Sequence, residues 1–198
     1  MEDFIEFKIT GIEPISTNDM YFAVPMKSKK NPNRMWATTA RTPALKEYQR
    51  VLQDKLSVIK TENSELVDYM TEKVASKYYK INSKYVIRTS NKQFYLTQDS
   101  SNCVKALEDC IVKYLFNKKI DDNVVNRLVV EKIYSPVVED FEITCQWELA
   151  HRSYYEYEII GLPLYCQNCD EYHSVVTQDS VIKCKECGKI LVDYSTEV

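Results

Sequence analysis

The chain has 198 residues, 44% of them hydrophobic and 28% charged, with a formal net charge of −3. That composition suits one medium globular domain with a small appendage, and it excludes disordered and fibrous classes. With three glycines and neither GxGxxG nor GxxxxGK(S/T), dinucleotide and P-loop chemistry are excluded. No apolar run reaches the roughly 18 residues of a membrane span, and the acidic start MEDFIEFK is unlike a secretory signal; the expectation is a cytoplasmic protein with no membrane partner.

In chain order, Ile5, Phe7 and Ile9 alternate with polar residues, which predicts a strand over 3–10. GIEPISTND and MKSKKNPNR are rich in turn residues and read as loops. Thr42-Pro43 is a helix start, with Thr as N-cap and Pro at the first helical position. Leu45, Tyr48, Leu52, Leu56 and Ile59 then follow at helical spacing. A weaker helical pattern runs over 64–79 through Leu66, Met70, Val74 and Tyr78. Residues 84–88 and 93–97 read as strands, joined as a hairpin by RTSNK. A helix after Ser101 carries Val104, Leu107, Ile111 and Leu115. Strands over 124–134 and 141–149 follow, the second alternating through Phe141, Ile143, Cys145, Trp147 and Leu149. The sum is an α+β fold with a mixed, largely antiparallel sheet packed with helices. Residues 154–163 are the candidate linker, dividing a domain over 1–155 from a module over 160–198.

The seven cysteines fall into two groups. Cys103, Cys110 and Cys145 sit among apolar residues and read as buried thiols. Cys166-x2-Cys169 and Cys184-x2-Cys187 are two CxxC pairs, the spacing of a four-thiolate Zn²⁺ site in a zinc ribbon. Gly188 suits the tight knuckle after the last cysteine. SVVT, VIKC and ILVDY are the module's strand-like runs.

Charge is distributed unevenly. Residues 25–60 carry nine basic against two acidic residues, whereas 136–198 carry four against twelve. The basic strip, with Lys27, Lys29, Lys30, Arg34 and Arg41, suits contact with DNA phosphates or a solvated face. The acidic ribbon end would repel phosphate, so it suits holding a dimer or docking a partner protein, through Val175-Val176 and Ile190-Leu191-Val192.

One stretch, YLTQDSSNCVKALEDCIVKYLFNKKIDDNVV, concentrates polar chemistry. Asp99 is expected at a strand end, Asn102 and Lys105 at a helix start, and Asp121-Asp122 just beyond that helix. If the helix packs back on the sheet, these carboxylates meet and call for a hard cation such as Mg²⁺, with phosphodiester hydrolysis as the matching chemistry. The structural alternative is that Asp99 is a cap, Asp121-Asp122 a turn, and Lys105 with Asp109 a helix salt bridge.

Three elements together resemble the RusA-type Holliday junction resolvases of phages and prophages. They are Gly11, Pro14, Ser16 and Asn18; Asp99, Ser101, Asn102, Lys105 and Asp109; and Asp121-Asp122. The resemblance covers roughly 5–150. It implies a homodimer, in a bacterial cell or phage-infected host, that uses Mg²⁺ to nick branched DNA. Asp99 and Asp122 would be metal ligands, Lys105 would face the scissile phosphate, and Asn102 would orient the loop. The family has an acidic residue where this chain has Ser101. Asp121 or Glu108 would then supply the missing charge; a purely structural reason for Ser101 is to N-cap the helix. The alternative is a catalytically weakened, DNA-binding relative whose ribbon recruits a replication or transcription partner.

Overall fold

The computed structural model describes residues 3–27, 35–120, 124–178 and 181–193. Period-two alternation builds its main sheet. Strand β1 (Phe4–Thr10) turns Ile5, Phe7 and Ile9 inward. β4 (Tyr79–Thr89) and β6 (Phe141–His151) do the same with Ile81, Tyr85 and Ile87 and with Phe141, Ile143, Cys145 and Trp147. With β5 (Val125–Tyr134) they form a sheet of order β1-β6-β4-β5. β1/β6 and β6/β4 are antiparallel and β4/β5 is parallel, so the fold is α+β with a mixed sheet.

Helices α1 and α2 bury their apolar stripes in the same core as the inward-facing residues of the sheet. α1 (Pro43–Glu62) starts where Thr42 Oγ1 accepts the Leu45 N–H at 3.1 Å, and it buries Leu45, Tyr48, Leu52 and Leu56. α2 (Ser64–Ala75) buries Val67, Met70 and Val74. Within the shared core the Phe116 ring stacks on Trp147, and the Trp147 Nε1–H donates to the Tyr85 hydroxyl at 2.9 Å. The other sheet face is polar, with Lys8 and Arg88 both on Glu142 and Lys84 on Glu131.

Three local readings differ from the sequence pattern. β2 (Tyr21–Lys27) and β3 (Met35–Arg41) form a separate two-stranded ribbon in a stretch for which no strand was expected, and it overlaps the expected loop over 26–34 only at Met26 and Lys27. Residues 93–97 are no strand: α3 (Lys92–Thr97) is a short helix, because Asn91 Oδ1 accepts the Phe94 N–H at 3.0 Å and caps it. β4 extends well before residue 84, its alternation masked in the sequence by the inward-facing Ser83. No helix among the described residues is long and apolar enough to cross a membrane.

The candidate linker contains α5 (Tyr154–Ile160). Glu156 pairs with Lys80 and with Arg152, and Tyr157 meets Tyr78 edge-on. Tyr78 and Tyr157 thus serve packing. Beyond lie a small sheet of β7 (Leu164–Cys166) and β8 (Glu171–His173), and another of β9 (Val175–Gln178), β10 (Val181–Cys184) and β11 (Ile190–Asp193). Tyr157, Leu162, Val175 and Ile182 form a second core cluster.

Candidate functional site: a four-cysteine metal centre and an acidic turn

The two CxxC pairs sit on two similar knuckles. In the first, the N–H groups of Cys169 and Asp170 both reach the Cys166 carbonyl; in the second, the Gly188 N–H reaches that of Cys184 at 2.9 Å. Asp170 (φ 59°) and Gly188 (φ 70°) each follow the second cysteine in the left-handed region, which Gly and Asp adopt most readily. All four Sγ atoms lie within 4.8 Å of one another, and Cys166 and Cys187 are 3.6 Å apart. Tetrahedral zinc with arms of about 2.3 Å needs sulfurs about 3.8 Å apart. The donor set fits such an ion, and this cluster could hold a metal such as zinc. The Lys189 backbone N–H, helped by the Cys169 thiol, holds Cys187 down to about 6, while Cys169 is pushed up by its bond to Cys187. His173 ends β8 at 3.9 Å from Glu171 and does not join the cluster. Val175 is spent on the module's own core, against which Leu191 and Val192 pack, whereas Val176 and Ile190 are exposed.

The three isolated cysteines are buried thiols, as their neighbours imply. Burial pushes Cys103 up to about 11 and Cys110 up to about 12, and Cys145 further still.

Asp99 follows α3 and its C-cap Gln98; it is not at a strand end. Lys132 of β5 reaches the Gln98 carbonyl and pins that turn to the sheet. Asp99 Oδ1 accepts both the Ser101 hydroxyl at 2.7 Å and the Ser101 backbone N–H at 2.9 Å. These bonds, the hydroxyl's first, hold the carboxyl below the usual carboxylate range. Asp99 is therefore the acceptor and Ser101 its donor, while the turn's N-cap position falls on Ser100, whose side chain makes no cap bond; the expectation of Ser101 as N-cap is corrected. Asn102 is half-buried in the 3₁₀ turn Ser101–Cys103, and Lys105 opens α4 (Lys105–Cys110) at 3.2 Å from Asp109.

Glu108 is buried in α4, where it accepts from the Ser83 hydroxyl at 3.3 Å. It therefore faces the sheet, which explains why Ser83 interrupts the apolar alternation. Among the described residues no group of three or more carboxylate, cysteine or histidine side chains gathers at Asp99. Asp121 and Asp122 lie outside the described residues.

The N-terminal motif folds toward the same place. Gly11 leaves β1 at φ 66°, and Ser16 Oγ accepts from the Asn18 N–H at the start of a 3₁₀ turn, Thr17–Asp19. Thr42 ties that turn to α1 by donating to the Asp19 carbonyl at 2.7 Å. The Thr17–Asp19 turn packs against the Ser101–Cys103 turn, so two motif segments distant in sequence meet. A cavity of about 450 Å³ opens beside them, between Pro14, Ser16, Tyr48, Phe94 and Gln98.

Of the basic strip, Lys29, Lys30 and Arg34 lie outside the described residues, and Lys27 ends β2. Arg41 ends β3 and donates to Gln49 Oε1 at 3.1 Å. It lines a cleft with Lys113, Lys118 and Lys119, which the sequence reading did not single out. The visible signal was the K-x4-K-K pattern before Asp121. What brings it to Arg41 is a π-helical turn, Ile111–Leu115, that no residue pattern announced.

Comparison with known protein families gives no match, and comparison with curated proteins gives none either. The chain's own residues are what point to a function.

Proposed function

We propose that the chain is a Mg²⁺-dependent endodeoxyribonuclease that nicks four-way or other branched DNA as a homodimer, after the manner of the RusA-type resolvases it resembles. In this reading the four-cysteine module carries structural Zn²⁺ and docks a partner protein or holds the dimer. The observation that carries the reading is the meeting of the Thr17–Asp19 and Ser101–Cys103 turns beside Asp99. A motif shared only by chance has no reason to converge in space.

Mg²⁺, when bound, supplies the positive charge that polarises a phosphodiester. Asp99 would hold it together with Asp122, with Asp121 next in the chain. Ser101 is a positioning residue: its two bonds fix Asp99 Oδ1 and keep the carboxylate ionised. Lys105, within reach of Asp109, would offer its ammonium to charge developing on the phosphate. Asn102 would steady the turn between them.

A second reading is favoured by one observation. Ser101, where the family has an acid, gives Asp99 a hydrogen-bond donor and adds no negative charge. A weakened site of this kind would leave a DNA-binding protein whose cysteine module recruits a replication or transcription partner.

Labelled four-way junction, fork and linear duplex, each with Mg²⁺ or EDTA, separate the two. The nuclease reading expects Mg²⁺-dependent nicks on opposing strands of branched DNA. Asp99→Asn and Asp122→Asn should each abolish nicking and leave binding equal or tighter, since each removes a ligand and also a charge that repels phosphate. Absence of nicking by wild type with Mg²⁺ or Mn²⁺ on every branched substrate would leave the binding reading standing.

A further inference from the structure

The cleft that Arg41 lines has a volume of about 520 Å³ and lies between β2–β3, α1 and the turn after α4. Four cations, Arg41, Lys113, Lys118 and Lys119, face one carboxylate, Asp109, which is already 3.2 Å from Lys105. Two of the four are held by neutral partners. Arg41 donates to the Gln49 amide oxygen, and Lys113 donates to the Tyr114 hydroxyl at 2.7 Å while lying 4.4 Å from that ring's centre. Such partners orient a cation without cancelling its charge. Lys119 is 3.9 Å from Asp68 with both side chains mostly exposed, a pair that phosphate can displace at little cost.

The backbone is shaped to present these side chains. The π-helical turn leads into Asn117 (φ 52°) and Lys118 (φ 58°), two consecutive residues in the left-handed region. Neither is glycine, and such conformations concentrate at functional sites. The Lys118 N–H to Val112 carbonyl bond, at 2.8 Å, and the Lys119 N–H to Phe116 carbonyl bond, at 2.9 Å, fix the turn. Burial raises the Cys110 thiol, and the fields of Lys113 and Arg41, arriving from two different elements, both oppose it. The cleft wall ends at Ile120, the residue covalently bonded to Asp121.

We propose that this cleft is a track for the DNA phosphate backbone, with Arg41, Lys113, Lys118 and Lys119 as its contacts. The proposal rests on the nucleic-acid reading above and extends it by assigning the surface that holds the phosphates. A cleft lined by four cations and one carboxylate attracts a phosphate strand, because neutralised phosphates supply most of the sequence-independent affinity.

The test is equilibrium binding of labelled four-way junction and linear duplex to the full chain over 50–300 mM salt, for wild type and for Lys113→Gln/Lys118→Gln/Lys119→Gln. Each lost phosphate contact lowers the slope of log affinity against log salt by about 0.9. The triple variant should therefore lose roughly 2–3 from the slope and bind about 100-fold more weakly near 0.1 M salt. Replacing the three lysines with arginine should preserve the slope, and neutralising Lys77, Lys185 and Lys189 should leave it unchanged. An unchanged slope in the glutamine variant overturns the track even if nicking persists, which leaves the nuclease reading intact. A reduced slope without any Mg²⁺-dependent nicking by wild type upholds the track and sinks the nuclease reading. Absence of DNA binding by wild type at 50 mM salt overturns both.

Discussion

On the reading that the four-cysteine module carries zinc, stripping that ion should unfold the module and leave the main sheet intact. Among the described residues its apolar core contains four buried side chains, Tyr157, Leu162, Val175 and Ile182. At about 1.5–3 kcal/mol each, they contribute roughly 6–12 kcal/mol before any ordering cost. Structural zinc in small modules contributes about 10–16 kcal/mol at neutral pH. An ion of that worth matches or exceeds the whole apolar term, and five short strands cannot stand without it. The main core is separate and much larger, with Tyr85, Ile143 and Trp147 fully buried. Hydrogen exchange under reducing conditions, with and without a strong chelator, reads both parts at once. Amides of Cys169, Asp170, Cys184 and Gly188 should lose protection, while those of Tyr85, Ile143 and Trp147 keep it. Thiol alkylation should then modify Cys166, Cys169, Cys184 and Cys187 and spare Cys103, Cys110 and Cys145 until global unfolding. If metal content falls to zero and the Cys184 and Gly188 amides stay protected, ribbon hydrogen bonds alone suffice and the reasoning is refuted.

Tyr85→Phe leaves the buried Trp147 Nε1–H, now 2.9 Å from the Tyr85 oxygen, without an acceptor; the expected loss is about 1–3 kcal/mol by denaturant titration, or roughly 2–4 °C in Tm per kcal/mol. Ser101→Ala should raise the Asp99 midpoint toward the ordinary aspartate value in an NMR titration, because the hydroxyl is the largest cause of its depression. The sign follows from linkage: a carboxyl depressed in the fold stabilises the turn above its unfolded midpoint, and that contribution disappears as pH falls through the folded one. An unmoved Asp99 midpoint would show that the Ser101 hydroxyl does not position the carboxylate.

Some of this protein was determined by sequence alone. Strict alternation in β1 and β6 fixed which side chains face inward, because a strand's faces repeat every two residues. Thr42-Pro43 fixed the start of α1, since the cap is made within four residues. The paired CxxC spacings gave the four-cysteine cluster, because each knuckle is a local turn around its own two sulfurs. Elsewhere the sequence was silent or misleading, whether the deciding contact was local or long-range. β4 was shortened by Ser83, whose place in the core depends on Glu108. Residues 93–97 read as a strand until the Asn91 cap gave α3 its start. Ser101 looked like a cap, and only the folded turn made it the donor to Asp99. The basic cleft is the fullest case: Arg41 and Lys113 stand far apart in the chain and share a surface only because β3 and the turn after α4 meet across α1. Local hydrogen bonds and periodicity are written in neighbouring residues, whereas a site assembled from separate elements exists only once burial of their apolar faces has brought those elements together.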